Sequence, residues 1–344
     1  INRRAKIAQL IGQVKKDHDG NLNDSCLYYK PDRESQVLAR RMQENLGPLA
    51  DKEIARIFRE LMSSCLALES PLSVGYLGPE GTFTEIAALK HFGGAVATKA
   101  LNSIDEVFKE VEAGTVDFGV VPVENSTEGI VSITFECFLN TKLQICGEVE
   151  TRIHQNLLVS ANTEFESIRS VYSHQQSLAQ CRNWINCNLP NAKVISVSSN
   201  AEAARIVANA GRSDYGAIGS SRAGEVYDLK VKAEKIEDKT NNTTRFIVLG
   251  EKNTDPSGRD KTSIIASLEN KPGALYELLS PFKEAGIDMT KLESRPSHSE
   301  LWSYRFFIDF IGHKNEPDIK RFLEVIREQT LDLKILGSYP RAVI

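Results

Sequence analysis

No CxxC pair and no HExxH-type histidine spacing occurs anywhere in these 344 residues. The six cysteines stand apart, at Cys26, Cys65, Cys137, Cys146, Cys181 and Cys187. Dispersed thiols of this kind read as reduced, as in the cytosol, and the sequence predicts neither a metal nor any other cofactor. Charge of one sign is also missing: 42 Lys and Arg face 46 Asp and Glu, for a net charge of −4. Without a basic stripe, nucleic acid is not an expected partner. No apolar run approaches the ~18 residues of a spanning helix. No apolar signal core follows the opening Ile-Asn-Arg-Arg-Ala-Lys, so the expected location is the cytoplasm, with no membrane partner. Residue 1 is an isoleucine inside a helical pattern, and the natural beginning is expected upstream of it. Internal repeats and low-complexity tracts are absent as well.

What is present divides into three segments. Residues 1–70 read as helix, with a stripe of Ile7, Ala8, Ile11 and Val14, another of Val37, Leu38, Met42 and Leu46, and a third from Ile54 to Cys65. All follow the i, i+3, i+4 spacing. Asp17 to Lys30 reads as a loop, and Gly47-Pro48 separates the second and third helices. Three helices make a thin core, so this segment is expected to dimerise or to lean on the rest. From Leu72 to about residue 250 short strands (Ser73–Tyr76, Phe118–Val121, Val194–Val197, Gly216–Ile218) alternate with helices. Three helices open on a Ser/Thr-x-x-Glu capping box, at Thr82, Ser103 and Ser199. That alternation implies an α/β architecture. After a loop at Asn253–Asp260, residues 261–340 read as strand (Thr262–Leu268), helix (Ala274–Ala285), strands (Asp288–Glu293, Ser303–Ile311), helix (Pro317–Thr330) and strand (Leu333–Tyr339). The βαββαβ order is that of a ferredoxin-like α+β domain.

The middle segment carries several helix N-termini rich in glycine and hydroxyls, which are ready anion sites. The plain reading is that they only cap helices. A wider set of motifs decides: Gly78-Pro79-Glu80-Gly81-Thr82-Phe83, Val121-Pro122-Val123-Glu124-Asn125-Ser126, Ser173-His174-Gln175-Gln176 and Asn242-Thr243-Thr244-Arg245-Phe246 occur in that order. Residues 72–250 thereby resemble the prephenate dehydratases, a family with two α/β lobes around a cleft, similar to periplasmic solute-binding proteins. The resemblance implies conversion of prephenate to phenylpyruvate, CO2 and water, with Thr244 as the catalytic residue. It further implies substrate contacts from Thr82, Glu124, Asn125 and Ser126 in one half of the segment. Ser173, His174, Gln176, Ser199 and Asn200 are implied in the other half, with Arg245 and Phe246 beside Thr244. Two readings of Arg245 stand open. In a regular strand Thr244 and Phe246 share a face and Arg245 takes the other, which makes it an ion-pair residue rather than a substrate ligand. The family has Ser-His-Pro-Gln and Ser-Thr-Ala-Glu where this chain has Ser173-His174-Gln175-Gln176 and Ser199-Asn200-Ala201-Glu202; asparagine caps a helix as threonine does.

In residues 1–70, Arg4 and Lys15 lie about three turns apart and share a face with Ala8 and Ile11. Charged side chains can snorkel from a helix edge. Taken with Pro31-Asp32-Arg33-Glu34 and the turn from Cys65 to Glu69, they resemble the all-helical chorismate mutases, which precede the dehydratase in bifunctional enzymes. Carried over, Arg4, Lys15, Arg33, Glu34 and Glu69 line one chorismate pocket. In that family an earlier stretch of the first helix lends an arginine to the partner's pocket, and glutamine stands in some members where Glu69 stands here.

Lys271-Pro272-Gly273-Ala274-Leu275 and Glu293-Ser294-Arg295-Pro296 resemble the two effector motifs of ACT domains attached to prephenate dehydratases. Gly273, Ala274, Leu275, Glu293, Ser294, Arg295 and Pro296 are thereby implied to bind L-phenylalanine between paired subunits, giving feedback inhibition and at least a homodimer. A generic βαββαβ domain could instead serve only as a dimer surface. Two other functions remain open from the residues alone: an arogenate dehydratase, and a non-catalytic solute-binding or amino-acid-sensing protein.

Overall fold

The computed structural model describes residues 1–19, 29–296 and 304–343, with side chains through residue 14 in the first stretch. Three helices lead: α1 (Asn2–Asp19), α2 (Pro31–Gln43) and α3 (Asp51–Glu69). Pro31 opens α2, where its missing N–H has no intrahelical partner to lose. Leu38 and Ala55 are fully buried where α2 meets α3. The inward stripe expected on α1 is corrected: only Ala8 of it is buried, while Ile7, Ile11 and Val14 are 49%, 40% and 57% exposed. Small residues take the contact because α1 runs close to α3. A Cβ on Gly12 would sit 2.9 Å from the Glu69 Cα. Helix α1 also continues through Asp17 to Asp19, and the rest of the expected loop, residues 20–28 with Cys26, lies outside the described residues.

The next part has two lobes. In the first are β1 (Ser73–Leu77), α4 (Phe83–Phe92), β2 (Ala97–Leu101), α5 (Ile104–Glu112), β3 (Phe118–Asn125), β4 (Gly129–Ile130), α6 (Ser132–Asn140) and β5 (Gln144–Arg152). The chain then crosses to a second lobe of β6 (Asn156–Val159), β7 (Ser170–His174), α7 (Gln175–Gln180), α8 (Arg182–Asn188), β8 (Lys193–Val197), α9 (Asn200–Ala210), β9 (Tyr215–Gly219), α10 (Ser221–Val226) and β10 (Lys230–Ala233). It returns as β11 (Thr243–Gly250), which inserts between β3 and β5 in the first sheet, ordered β2-β1-β3-β11-β5. The second sheet runs β10-β6-β9-β7-β8. Parallel pairs β1–β2, β1–β3, β7–β8 and β7–β9 sit beside antiparallel ones, so the two-lobed α/β expectation holds. The return path places β11, buried along most of its length, inside the first sheet between β3 and β5, with its N-terminus at the crossing. The crossing strands are tied there by Ile153 N donating to Asn242 O at 2.9 Å.

The C-terminal domain has the expected βαββαβ order: β12 (Asp260–Leu268), α11 (Ala274–Glu284), β13 (Met289–Pro296), β14 (Tyr304–Ile311), α12 (Pro317–Glu328) and β15 (Asp332–Pro340). Ser303, expected to begin β14, lies outside the described residues. The antiparallel sheet runs β13-β14-β12-β15 and is buried on both faces at its centre. Ile264 and Ala266 of β12 face α11 and α12 with Phe282, Phe310 and Phe322. Ile265, Phe307, Leu336 and Tyr339 instead join the core of the first lobe, beside Val121, Phe135 and Ile247. Phe135 and Phe307 meet edge to face at 4.4 Å between centroids, a geometry worth about 0.5–1.5 kcal/mol beyond burial. Backbone approaches backbone where β15 crosses β5, and a Cβ on Gly337 would fall 2.3 Å from the Ile145 carbonyl oxygen.

Candidate active site

A cleft of about 580 Å3 opens between the lobes, and most of the middle-segment motifs meet in it. From the first lobe come Gly78, Gly81, Thr82 and Phe83 before and within α4, Asn125 at the end of β3, and Thr244 and Phe246 on β11. From the second come His174, Gln176, Ser199 and Asn200.

The local sequence explains each placement. Thr82 caps α4, its Oγ1 accepting from Glu85 N at 3.4 Å and donating to Leu77 O at 3.1 Å. Glu85 reaches back to accept from Gly81 N at 2.5 Å, one residue before the cap. Gly81 has φ +87°, and a Cβ there would lie 2.8 Å from the Ala223 Cα of α10, so the loop touches the opposite lobe. Arg222 spans the lobes to Glu85 at 2.9 Å, and Ser220 Oγ donates to Gly81 O at 2.6 Å. Across the cleft, Ser199 caps α9 with Glu202 N at 3.0 Å. Asn200 Oδ1 accepts from His174 N at 3.2 Å and lies 2.9 Å from Ser173 Oγ. His174 itself caps α7, with Gln176 N 3.4 Å from its Nδ1. Two helix N-termini, of α4 and α9, therefore border the cleft from opposite lobes. Among the described residues that line it, none is lysine or arginine. Helix ends and neutral donors are thus what the cleft offers an anion.

Thr244 is paired in register with Asn125 across β11 and β3. Asn125 Oδ1 accepts from the backbone N–H groups of Thr127 (3.0 Å) and Glu128 (3.1 Å), which fixes the orientation of the amide. Its Nδ2 consequently donates, to Asn242 Oδ1 at 2.8 Å and to Thr244 Oγ1 at 2.7 Å. The Thr244 oxygen is used as an acceptor, so its own proton can be directed at a bound molecule.

Four residues implied as substrate contacts do not line the cleft. Glu124 and Arg245 pair in register one step from Asn125 and Thr244, and alternation turns them to the back of the sheet. There Arg245 meets Glu148 at 2.9 Å, Asp309 at 2.6 Å and Tyr339 Oη at 2.9 Å. These contacts are those of the ion-pair reading of Arg245. Glu124 meets Lys291 of the C-terminal domain at 2.6 Å. Ser126 is exposed and pins β3 to β11 through Thr243 N at 3.0 Å. Ser173 is fully buried between Ile218 O and Asn200 and holds the latter in place. Conversely, Gln155, Gln180 and Asn242 line the cleft unforeseen. Asn242 opens the Thr244 motif, whereas Gln155 sits on the crossing chain and has no local pattern to mark it.

Within a single chain the described helical residues stand apart, Glu34 and Glu69 bordering separate cavities. Arg4 and Arg33 are exposed, and the Lys15 side chain lies outside the described residues. Glu69 borders a groove with Lys6, Gln9 and Gln13. Glu34 instead points to the first lobe, 3.3 Å from Arg59, in a cavity with Tyr29 and His91. Burial raises the Glu34 carboxyl to about 7 against the opposing pull of Arg59, and lowers His91 to about 3. A folded-state value above the ordinary 4.5 gives stability that is whole below about 4.5 and lost as pH rises through about 7. Between pH ~5 and ~7.5 the melting temperature of Glu34→Gln is therefore expected to fall less than that of the parent. Parallel melting curves across that window would remove Glu34 from this role.

Gly273, in the left-handed region at φ +87°, precedes α11, followed by Ala274 and Leu275 in its first turn. Glu293, Ser294, Arg295 and Pro296 end β13. Tyr304 pairs with both Pro296 and Leu268, so the two effector-like motifs occupy the same end of the sheet on either side of β14.

Fold and cleft together define a two-lobed α/β enzyme carrying a helical segment before it and a βαββαβ domain after it. Family models match in the same order: chorismate mutase type II over residues 1–70, prephenate dehydratase over 74–254 and the ACT domain over 262–327. A bifunctional chorismate mutase/prephenate dehydratase of Pseudomonas aeruginosa is 54% identical over 100% of this chain and 93% of its own length. The solved prephenate dehydratase of Arthrobacter aurescens in complex with L-Phe is 32% identical, with a TM-score of 0.73 over 79% of this chain and 90% of that one. A solved chain described as GqqA, a novel type of quorum quenching acylase, has the same TM-score of 0.73 at 26% identity, covering 79% of this chain and 98% of that one. The chain belongs to the family of bifunctional chorismate mutase/prephenate dehydratases. A fold of this kind can host more than one chemistry, and the reaction is set by the residues of the cleft.

Proposed function

We propose that the chain converts prephenate to phenylpyruvate in phenylalanine biosynthesis in the cytoplasm, and that L-phenylalanine inhibits it through the ACT domain. The observation that carries the dehydratase assignment is the Asn125–Thr244 hydrogen bond at 2.7 Å, which leaves the Thr244 proton available inside the cleft. The N-termini of α4 and α9, with Thr82, Ser199 and Asn200, suit the two carboxylates of the substrate, one on each lobe. As the ring carboxylate leaves as CO2, its bonding electrons pass through the ring and expel the hydroxyl on the opposite carbon. Thr244 Oγ1 donates a hydrogen bond to that departing oxygen, which takes up a proton from solvent and leaves as water. Phe246 provides an aromatic wall, and His174 and Gln176 supply further polar contact from the second lobe.

Chorismate rearrangement by residues 1–70 is proposed to require a second chain, with Arg4, Lys15, Arg33, Glu34 and Glu69 shared between protomers. The exposed Ile7, Leu10, Ile11 and Val14 on α1 support pairing of two chains there. Gly273, Ala274 and Leu275 with Glu293, Ser294, Arg295 and Pro296 are proposed to hold phenylalanine, again between subunits.

The test is incubation of the purified chain with prephenate, following phenylpyruvate with and without L-phenylalanine, and with arogenate in parallel. Phenylpyruvate formed from prephenate and suppressed by phenylalanine is the expected result. Turnover of arogenate alone would move the substrate assignment. Binding without turnover of either would return the chain to a sensing role.

A further inference from the structure

Two charged contacts join the C-terminal domain to the back of the catalytic strand pair. Behind Thr244, Arg245 is locked into a buried cluster with Glu148, Asp309 and Tyr339. Behind Asn125, Glu124 meets Lys291 Nζ of the C-terminal domain at 2.6 Å. The two contacts differ in freedom. Arg245 and Glu148 are 11% and 3% exposed; Lys291 is as buried as Arg245, at 11%, but the Glu124 side chain it meets is 40% exposed. Lys291 stands on β13, the edge strand of its sheet, and its pairing with β14 shifts register between Met289 and Lys291. Two residues further along the same face is Glu293, the first residue of the effector-like motif. A displacement of β13 at that motif therefore acts on Lys291 directly. From Lys291 it reaches Glu124, and Glu124 precedes the residue that orients the Thr244 hydroxyl.

We propose that Lys291 is a positioning residue that couples the effector strand to the Asn125–Thr244 pair through Glu124. The proposal rests on phenylalanine being the effector. Lys291 acts on the cleft only through Glu124, since neither side chain lines it. The Lys291 ammonium also lies over Phe135, its Nζ 5.7 Å from the ring centroid. Methionine at this position would keep apolar contact with that ring while removing the charge.

Lys291→Met in the full chain is the test, with three measurements: phenylalanine binding by calorimetry, the phenylalanine concentration that halves turnover, and kcat with KM in its absence. Phenylalanine is expected to bind the variant, and the half-inhibitory concentration to rise at least tenfold, while kcat without effector stays within about threefold. Lys291→Arg is expected to restore inhibition, as is the charge-exchanged pair Lys291→Glu with Glu124→Lys. The reciprocal effect is expected too, because coupling between two ligands is symmetric: bound substrate analogue should no longer change phenylalanine affinity in Lys291→Met. Inhibition of Lys291→Met at the parent's phenylalanine concentration overturns the proposal. So does a variant whose kcat collapses while its inhibition constant is unchanged. Failure of the effector reading looks different, as phenylalanine would then neither bind nor inhibit the parent, and the coupling would fall with it.

Discussion

Thr244→Val is expected to lower kcat for dehydration by about 10²–10³-fold, the scale of removing one preorganised donor from a site of developing charge, and to change KM by less than about threefold. Valine preserves the branched shape on β11 and removes only the hydroxyl. The asymmetry between kcat and KM follows because the leaving oxygen acquires most of its charge in the transition state, while the side-chain carboxylate, which does not react, is held elsewhere in both states. Thr244 is 8% exposed, so bulk water has little room to replace the missing donor. Asn125→Asp makes the complementary test. A carboxylate at that position presents only acceptors, and the Thr244 proton would turn toward it instead of toward the substrate. Both variants should therefore share the kcat defect, and the double variant should be little worse than either, since the two side chains act as one unit. Unchanged turnover in Thr244→Val, measured by phenylpyruvate formation, would take Thr244 out of the mechanism.

What could be read from the residues, and what could not, divides along strand registers. The three-segment order and the βαββαβ pattern were visible because periodicity, capping boxes and terminal proline and glycine are local signals. Thr82 and Ser199 were visible for the same reason, each opening a capping box, whereas Thr244 was visible only through the resemblance of its motif to the prephenate dehydratases. Glu124 and Ser126 share the motif of Asn125, yet only Asn125 lines the cleft. Which of the three faces inward is set by the pairing of β3 with β11, a contact between segments more than 100 residues apart. Strand alternation did offer one of the two readings of Arg245, and the domain behind the sheet supplied partners that fit it. Gln155 was invisible because it lies on the crossing between lobes, where position depends on both sheets at once. On α1 the apolar spacing identified the helix correctly but not its buried face, since Ala8 and Gly12 make the close contact and the larger side chains stay outside.

Arg245→Met is expected to cost about 3–5 kcal/mol of stability, the range for removing one partner from a buried ion pair. The cluster behind Thr244 holds two cations, Arg245 and Lys261, and two anions, Glu148 and Asp309. Lys261 Nζ lies 2.7 Å from Glu148, and Asp309 also accepts from Ser263 Oγ at 2.5 Å. With Arg245 the four charges cancel; without it a net negative charge remains between two domains, away from water. The guanidinium also makes three directed contacts at once, to Glu148, Asp309 and Tyr339. Lysine retains the charge but cannot reproduce that fork, so Arg245→Lys should fall between the parent and Arg245→Met. At roughly 2–4 °C per kcal/mol for domains of 150–250 residues, the melting temperature of Arg245→Met should drop by about 6–20 °C. A change under about 1 °C would show that the cluster contributes nothing to holding the domains together. Kinetics then separate stability from recognition. Assayed well below its melting temperature, Arg245→Met should keep KM for prephenate within about twofold, because its side chain faces the ACT domain and not the cleft. A rise in KM of tenfold or more in the folded variant would return Arg245 to the substrate-binding set and require the catalytic strand to turn over in the working enzyme.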